Sequence, residues 1–490
     1  MTTRNTCAAV AIMACALGAP ARGAVKNLVD VTKPPYNAVG DGVTDCTAAI
    51  NAALADAAKQ SPKPIVYLPD GDFAHSNVLN DKGVVLEGSG PKTILRATVP
   101  AMSSVMLSGD GGGVKNLTVL SPNSKTRSSW STSPAVTIIG ATHFEISGLV
   151  VGLPDHTQGV EGAAIICQSE PSSDGLITGN TINNSMADAI HLTCGANHIS
   201  VTHNTITGSG DDMVAVVSYF KDAMLCHDIT IRDNDCLGQT GGRGITVIGG
   251  ENVVIDHNRV ENSMAAGIHL AAESSYMTYG PSNVTISNNV LRNCNKLSNM
   301  GHGSIFFYGN DLTYNGVRSF QPAKDIRVTG NTVYSSRCNA IRLGGYVDNV
   351  IVSGNVIDGA DWDGIAINAT EPGPPEKGAT NVVVNGNTIR KANGNGIHVC
   401  GGTRGALTLT NNIIGDVGTS TTSRDAICID GGADKITPLV IKGNKVSGSA
   451  ESHMRNGLTC SISASAAATS EADILASNTF PAGAALVIKQ

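Results

Sequence analysis

Residues 176–182 read LITGNTI and residues 200–206 read SVTHNTI. The pattern returns as TIRDNDC at 230–236, VIDHNRV at 254–260, TISNNVL at 285–291, RVTGNTV at 327–333 and IVSGNVI at 351–357. It continues as VVNGNTI at 383–389, LTLTNNII at 407–414, VIKGNKV at 440–446 and ILASNTF at 474–480. Each copy alternates apolar residues, then sets a small or polar residue, Asn and another apolar residue. The shortest Asn-to-Asn interval is 24 residues, as from Asn180 to Asn204, Asn234 to Asn258 and Asn331 to Asn355. Longer intervals read as the same unit with a loop inserted. A unit of this length holds three short strands and three turns, and it cannot bury its apolar face alone, so units must stack. Stacking sets the Asn side chains one above another at a corner, where their amides can hydrogen-bond from coil to coil.

A second phase follows each Asn. It reads DAIHL from Asp188, DMVAV from Asp212, RGITV from Arg243, AGIHL from Ala266 and GSIFF from Gly303. NAIRL from Asn339, DGIAI from Asp363, NGIHV from Asn395 and DAICI from Asp425 complete it. Strand alternation sends Ile190, Val214, Ile245, Ile268, Ile305, Ile341, Ile365, Ile397 and Ile427 inward, with the residue two further on in each copy. Between them His191, Ala215, Thr246, His269, Phe306, Arg342, Ala366, His398 and Cys428 point outward on one parallel sheet. The fold expected is all-β: a right-handed parallel β-helix of about 11–13 coils. Leucine-rich spacing, a 3.6 period and a GGxGxD calcium repeat are absent from the sequence, which excludes the other solenoids.

The N-terminal part departs from the repeat. Residues 36–59, YNAVGDGVTDCTAAINAALADAAK, give a Gly-rich turn and then a helix from about Thr47 to Ala58, with Asp45 as N-cap. IVYLPDGDF and VVLEGSG read as the first strands. A helix over the open end of a solenoid covers exposed strand edges. Regular coils are expected over about 80–480, with the tail after about Asp473 closing the far end. The very start, MTTRNTCAAVAIMACALGAPARGA, has one Arg, an apolar run from Ala8 to Leu17 and an Ala19-Pro20-Ala21 cleavage pattern. It reads as a secretory signal peptide over 1–21, leaving 22–490 as a single secreted domain, periplasmic or extracellular.

Composition agrees with this outline. Of 490 residues, 56 are Gly, 15% are charged and 4% aromatic, so the core must come from small and branched aliphatics. A formal net charge of -7 argues against nucleic-acid binding. Beyond Cys7 and Cys15 the cysteines are scattered without CxxC or Cys/His metal spacing. Export permits disulfides, and buried thiols fit the strand positions of Cys194, Cys226, Cys236, Cys400 and Cys428 equally well.

The opening YNAVGDGVTDCTAAINAAL together with VYLPDG resembles the N-terminal signature of the pectate-lyase-like superfamily of parallel β-helix proteins, which includes hydrolases, lyases and phage depolymerases. The resemblance runs over nearly the whole mature chain. A narrower one is to polygalacturonase-type glycoside hydrolases, whose site has Asn-Thr-Asp, Asp-Asp, Gly-His-Gly and Arg-Ile-Lys on successive coils. MAD places Asp188 on the first and SGDDMVAV places Asp211 and Asp212 on the second. GRG then puts Arg243 where that family has His, and GIHLA puts His269 for Arg and Ala271 for Lys. The resemblance implies glycoside cleavage by the carboxylate trio, while the rearranged cations count against galacturonan as the substrate.

The residues themselves support that chemistry. Adjacent coils lie about 4.8 Å apart, so Asp188 and Asp212 should sit within several ångströms, with Asp211 beside them. Crowded carboxylates cannot all ionise freely; one should keep a raised pKa and act as general acid while another activates water or attacks the anomeric carbon. The alternative is a turn role, since Asn339, Asp363, Asn395 and Asp425 occupy the same corner and such residues bond the backbone. Arg243 reads as a fork for a carboxylate or sugar hydroxyls, or as a salt bridge to Asp212. His191, His269, Glu273, Phe306, Tyr308 and Arg342 are further substrate-binding candidates, Phe306 and Tyr308 reading as a sugar platform or as packing under a loop at 309–322. Glu273 opens an inserted loop with Tyr276 and Tyr279, suited to sugar stacking or to anchoring the loop, and His398 reads as solvated. The expected activity is cleavage of a polysaccharide or oligosaccharide without cofactor or metal. The alternatives are a uronate lyase or C5-epimerase, for which Ca²⁺ is possible, and a non-catalytic surface protein. No membrane or nucleic-acid partner is expected.

Overall fold

The computed structural model describes residues 27–488, except 123–125, 298–299, 369–377, 401, 420–421, 431–434, 449–452, 461–470 and 482–484. The expected signal segment, with Cys7 and Cys15, lies outside the described residues. The chain winds as a parallel β-helix. One coil contributes the strands Ile190–Leu192, Asn197–Thr202 and Thr205–Ile206. The next contributes Val214–Val217, His227–Arg232 and Asp235–Cys236, each pairing in parallel with its counterpart. The inward phase is as expected: Ile190, Val214, Ile245, Ile268, Ile305, Ile341, Ile365, Ile397 and Ile427 are fully buried and in register. Burying each such side chain is worth about 1.5–3 kcal/mol, and the contribution repeats at every coil.

The Asn corner forms a continuous ladder. Asn180 Nδ2 donates to Asn204 Oδ1 at 2.9 Å, and the same bond links 204, 234, 258, 289, 331, 355, 387, 412, 444 and finally 478. Each of these Oδ1 atoms also accepts the main-chain N–H of the preceding Asn, as from Asn180 to Asn204 at 3.1 Å. The residue before every ladder Asn from Asn180 to Asn444 is left-handed: His203, Asp233, His257, Asn288 and Asn411 have φ of 53–56°, and Gly179, Gly330, Gly354, Gly386 and Gly443 have 63–70°. Gly reaches that region without cost and Asn, Asp and His are enriched in it, which accounts for the recurring GN, HN, DN and NN pairs.

Three expectations need correction. The solenoid is longer than 11–13 coils and starts before residue 80, because one sheet has 15 strands and begins at Asp41–Asp45. The early coils escape the repeat because their ladder position is apolar: Leu149 donates its N–H to Asn180 Oδ1 at 3.0 Å. Leu117 holds the place before it, its carbonyl accepting from Val150 as that of Leu149 accepts from Thr181. The helix is Thr47–Ala57 with Cys46 at the N-cap, so Asp45 stands one residue outside. Asp45 Oδ1 nevertheless accepts the Thr47 N–H at 2.9 Å, the bond a cap would make. Finally, the segment 309–322 is a β-hairpin rather than a loop, formed by Ile305–Tyr314 and Val317–Gln321.

The helix packs Ile50, Ala53, Leu54 and Ala57 over the first coils. At the far end, the helix Glu471–Ser477 leads into Asn478, and Ala485–Ile488 pairs with Met454–Cys460. The ten described cysteines are free thiols, eight of them buried.

Candidate active site

The strands of the second phase begin at a corner that orders its own residues. The Asp212 N–H donates to Asp188 Oδ1 at 2.9 Å, and the Arg243 N–H donates to Asp212 Oδ1 at 2.7 Å. The same bond recurs from Asp363 to Asn339, Asn395 to Asp363 and Asp425 to Asn395, at 3.1, 2.7 and 3.0 Å. One oxygen of Asp188, of Asp212 and of Asp363 therefore has the turn role. The second oxygen is what differs between coils. Asp188 Oδ2 bonds His191 Nδ1. Asp212 Oδ2 accepts from the Arg243 guanidinium at 2.8 Å and the Thr246 hydroxyl at 3.0 Å. Arg243 continues to Glu273 at 2.9 Å. Asp211 turns outward and meets Arg127 at 2.5 Å.

Asp188, Asp211 and Asp212 converge with carboxylate oxygens within 4.8 Å of one another. Depth sorts them. The Asp211 side chain is 32% exposed, those of Asp188 and Asp212 8% and 5%. Burial raises the proton affinity of Asp212; Arg243 opposes it, and Asp188 and Asp211 reinforce it. The trio lines a small hollow with His191, Arg243, Glu273 and Tyr276. Through Arg127, Asp188, His191 and Tyr219 that hollow opens into a wider one beside Trp130. Through Arg243, Glu273 and Tyr276 it joins a third, lined by Phe306, Tyr308 and Arg342. The outer face of the sheet thus carries one continuous cleft.

The expected site residues fall into two groups. His191, Arg243 and Glu273 touch the trio or its partners. His269, Phe306, Tyr308 and Arg342 form the neighbouring wall. Phe306 is 4% exposed; His269 stacks on it at 5.0 Å between centroids and the Arg342 guanidinium lies 5.1 Å from its ring. It therefore offers no open stacking face and supports the wall, correcting its reading as a sugar platform. Arg342 also bonds the Gly301 carbonyl. His269 is buried against Phe306 and His302, 3.9 Å from Glu273. Burial keeps it well below the ordinary imidazole pKa and pushes His302 down to about 4, so both are neutral. Of the loop tyrosines, Tyr276 is 64% exposed over the cleft, while Tyr279 anchors edge-on to Phe220 at 4.5 Å.

Sequence reasoning passed over Arg127, Trp130, Tyr219 and His302. Trp130 carried a signal, as one of only two Trp in the chain and set in a Ser-rich stretch; it is 72% exposed. His398 is not solvated as expected. It is held between Asp363 at 3.0 Å and Asp430 at 2.8 Å, which outweigh burial and lift its pKa to about 9.

Comparison with known proteins places these features in context. Residues 31–269 match the family model for rhamnogalacturonase A/epimerase, pectate lyase-like, and residues 273–414 match that for the right-handed β-helix region. None of the curated proteins matches the sequence. Among solved structures, the chain is similar to the catalytic unit of a thermostable GH87 α-1,3-glucanase from Streptomyces thermodiastaticus. Identity there is 17% over 89% of this chain and 71% of that one, with a TM-score of 0.54. A GH87 α-1,3-glucanase catalytic domain in complex with tetrasaccharides is 16% identical over 87% and 70%, with a TM-score of 0.58. The mannuronan C-5 epimerase A-module of Azotobacter vinelandii is 18% identical over 72% and 98%, with a TM-score of 0.48. At these identities the likeness is one of fold.

Proposed function

Because this chain belongs to the pectate-lyase-like superfamily of right-handed parallel β-helix proteins, we propose that it is a secreted glycoside hydrolase cleaving a polysaccharide at Asp188, Asp211 and Asp212. The observation that carries the reading is the convergence of three carboxylates at the floor of a cleft long enough for a glycan chain. Asp212 holds the raised proton affinity but is buried, so its proton reaches the leaving group through Asp211, the one carboxylate of the three open enough to meet a glycosidic oxygen. Asp188 and Asp212 lie deeper, and they orient and deprotonate the attacking water. His191 holds Asp188 in place, and Arg243 with Thr246 holds Asp212. Trp130 and Tyr276 present exposed rings along the cleft for sugar stacking.

A second support comes from the glucanases. In three of their structures one aspartate is replaced by alanine, and the replaced positions are a single aspartate followed by an adjacent pair. Their spacing in the chain is that of Asp188, Asp211 and Asp212. A lyase or epimerase fits less well, because Arg243 is already neutralised by Asp212 and Glu273, and His269 is buried out of reach of a substrate C5 proton.

The test is a panel of α-glucans, other neutral glycans and uronic glycans, read for new reducing ends and for ultraviolet-absorbing unsaturated products. Reducing ends without unsaturation are expected, and Asp211→Asn should lower kcat by about 10²–10⁴-fold with an unchanged Tm. Unsaturated products, or full activity in Asp211→Asn, would overturn the assignment.

A further inference from the structure

A second cluster lies on the same outer face, away from the aspartates. His398 and Cys428 are direct partners on adjacent parallel strands, both pointing outward. Asp430 follows Cys428 by two residues and shares its face. Asp430 Oδ2 lies 2.8 Å from His398 Nε2, and Oδ1 lies 3.3 Å from Cys428 Sγ. On the other side of the ring, His398 Nδ1 is 3.0 Å from Asp363 Oδ2. Asp363 is fixed in turn, its Oδ1 accepting from the Asn395 main chain at 2.7 Å and side chain at 3.1 Å.

We propose that His398 Nε2, Cys428 Sγ and the Asp430 carboxylate bind a divalent ion of the zinc type, with Asp363 orienting the imidazole through Nδ1. One nitrogen, one sulfur and one oxygen donor converge within 4.8 Å, and that mixed set selects zinc-like ions over Ca²⁺ or Mg²⁺. Bond lengths of about 2.0–2.3 Å imply tetrahedral N···O and S···O edges of about 3.4–3.6 Å. The observed 2.8 and 3.3 Å therefore need to open by only a few tenths of an ångström. A carboxylate on the far nitrogen of a ligating His is the arrangement that fixes its tautomer for the metal. On binding, metal–N and metal–S bonds replace the Nε2–H and S–H bonds, and both protons leave to solvent. The fourth position faces a cleft bounded by Trp362 and Arg424 and is left for water.

Among the described residues, the other two groupings of metal-ligating side chains lack this character. Asp188, Asp211 and Asp212 offer oxygens only, already engaged by Arg127 and Arg243. His198, His227 and Asp228 have no sulfur and side chains 38–57% exposed. His398 lies six coils beyond Asp212, about 29 Å along the axis at about 4.8 Å per coil. The proposal therefore stands apart from the hydrolase reading.

The experiment uses the full-length protein, dialysed against chelator and titrated with Co²⁺. One ion per chain should bind with a thiolate-to-metal charge-transfer band, and Zn²⁺ should displace it. Cys428→Ser should remove the band and His398→Gln the tight binding. Asp363→Asn should keep the band and weaken binding about 10–100-fold. Each variant is compared by metal-free Tm, and Cys428→Ala serves as second probe should Cys428→Ser fold poorly. Binding without the band, a band that survives in both Cys428 variants, or no binding would show a hydrogen-bonded cluster only and overturn the proposal.

Discussion

Asp211 and Asp212 are neighbours in the chain with different burdens. Asp211 bonds Arg127 at the cleft edge, whereas Asp212 neutralises a largely buried guanidinium, 19% exposed. Asp212→Ala leaves Arg243 with Glu273 alone, and breaking a buried pair costs about 3–5 kcal/mol. It should therefore lose both activity and stability, where Asp211→Asn loses activity alone; thermal melts alongside kinetics separate the two. A third carboxyl acts through pH. Asp81 is fully buried, accepts from Ser108 and Gly83, and has one oxygen without a partner. Burial lifts its pKa to about 7. Between the unfolded value of 3.8 and about 7, the unfolded chain releases this proton before the folded one does. Stability from this group is thus complete at acid pH, falls as pH rises through that window and levels above it, by on the order of 4 kcal/mol. Asp81→Asn should flatten the dependence, read by hydrogen exchange in Leu79–Asn80 and Val105–Asp110 at pH 5 and 8.

Among elements, the Asn ladder is the most instructive. Asn289→Ala removes the acceptor of two N–H donors from Asn258 and the donor to Asn331 and Ile255. A buried group left unpaired costs about 1–3 kcal/mol, so Tm should fall, with exchange protection lost first in the coils on either side, as nearest-neighbour coupling in a solenoid requires. The ladder was legible because its residue type, left-handed predecessor and flanking apolar pair recur at the sequence level. The coils before Asn180 were not, since Leu117 and Leu149 satisfy the same corner with packing instead of amides. The corner carboxylates were half legible. Sequence placed Asp188 and Asp212 on adjacent coils, but the second oxygen of Asp212 depends on Arg243 and Thr246 from the next coil, and Asp211 on Arg127 from a distant turn. His398 shows the same limit: Asp363 and Asp430 reach it from 35 and 32 residues away.

At the scale of the molecule, a helix packs over the first coils, and at the far end the strand Ala485–Ile488 adds to Met454–Cys460. The fold class could be read from the periods alone, while the cleft could not, because its walls come from insertions whose paths follow no repeat. The proposed secretion is tested at this scale as well. Export from a host that supports it should give a mature chain beginning at Arg22, as N-terminal sequencing of the secreted product would read.

The hairpin inside the longest ladder interval has a practical meaning. Ladder steps vary from 24 to 42 residues, yet the amide-to-amide bond is 2.9 Å at both extremes. The corner works as a ruler whose graduations ignore how much chain lies between them. Walls of the cleft are accordingly free to lengthen, shorten or change composition while the floor keeps its geometry. Replacing the projecting part of Ile305–Tyr314 and Val317–Gln321 by a short turn should leave the ladder intact and re-shape only what the cleft admits. Glycan preference in such a scaffold can drift by editing one turn at a time, with the stack serving as an unchanging address system.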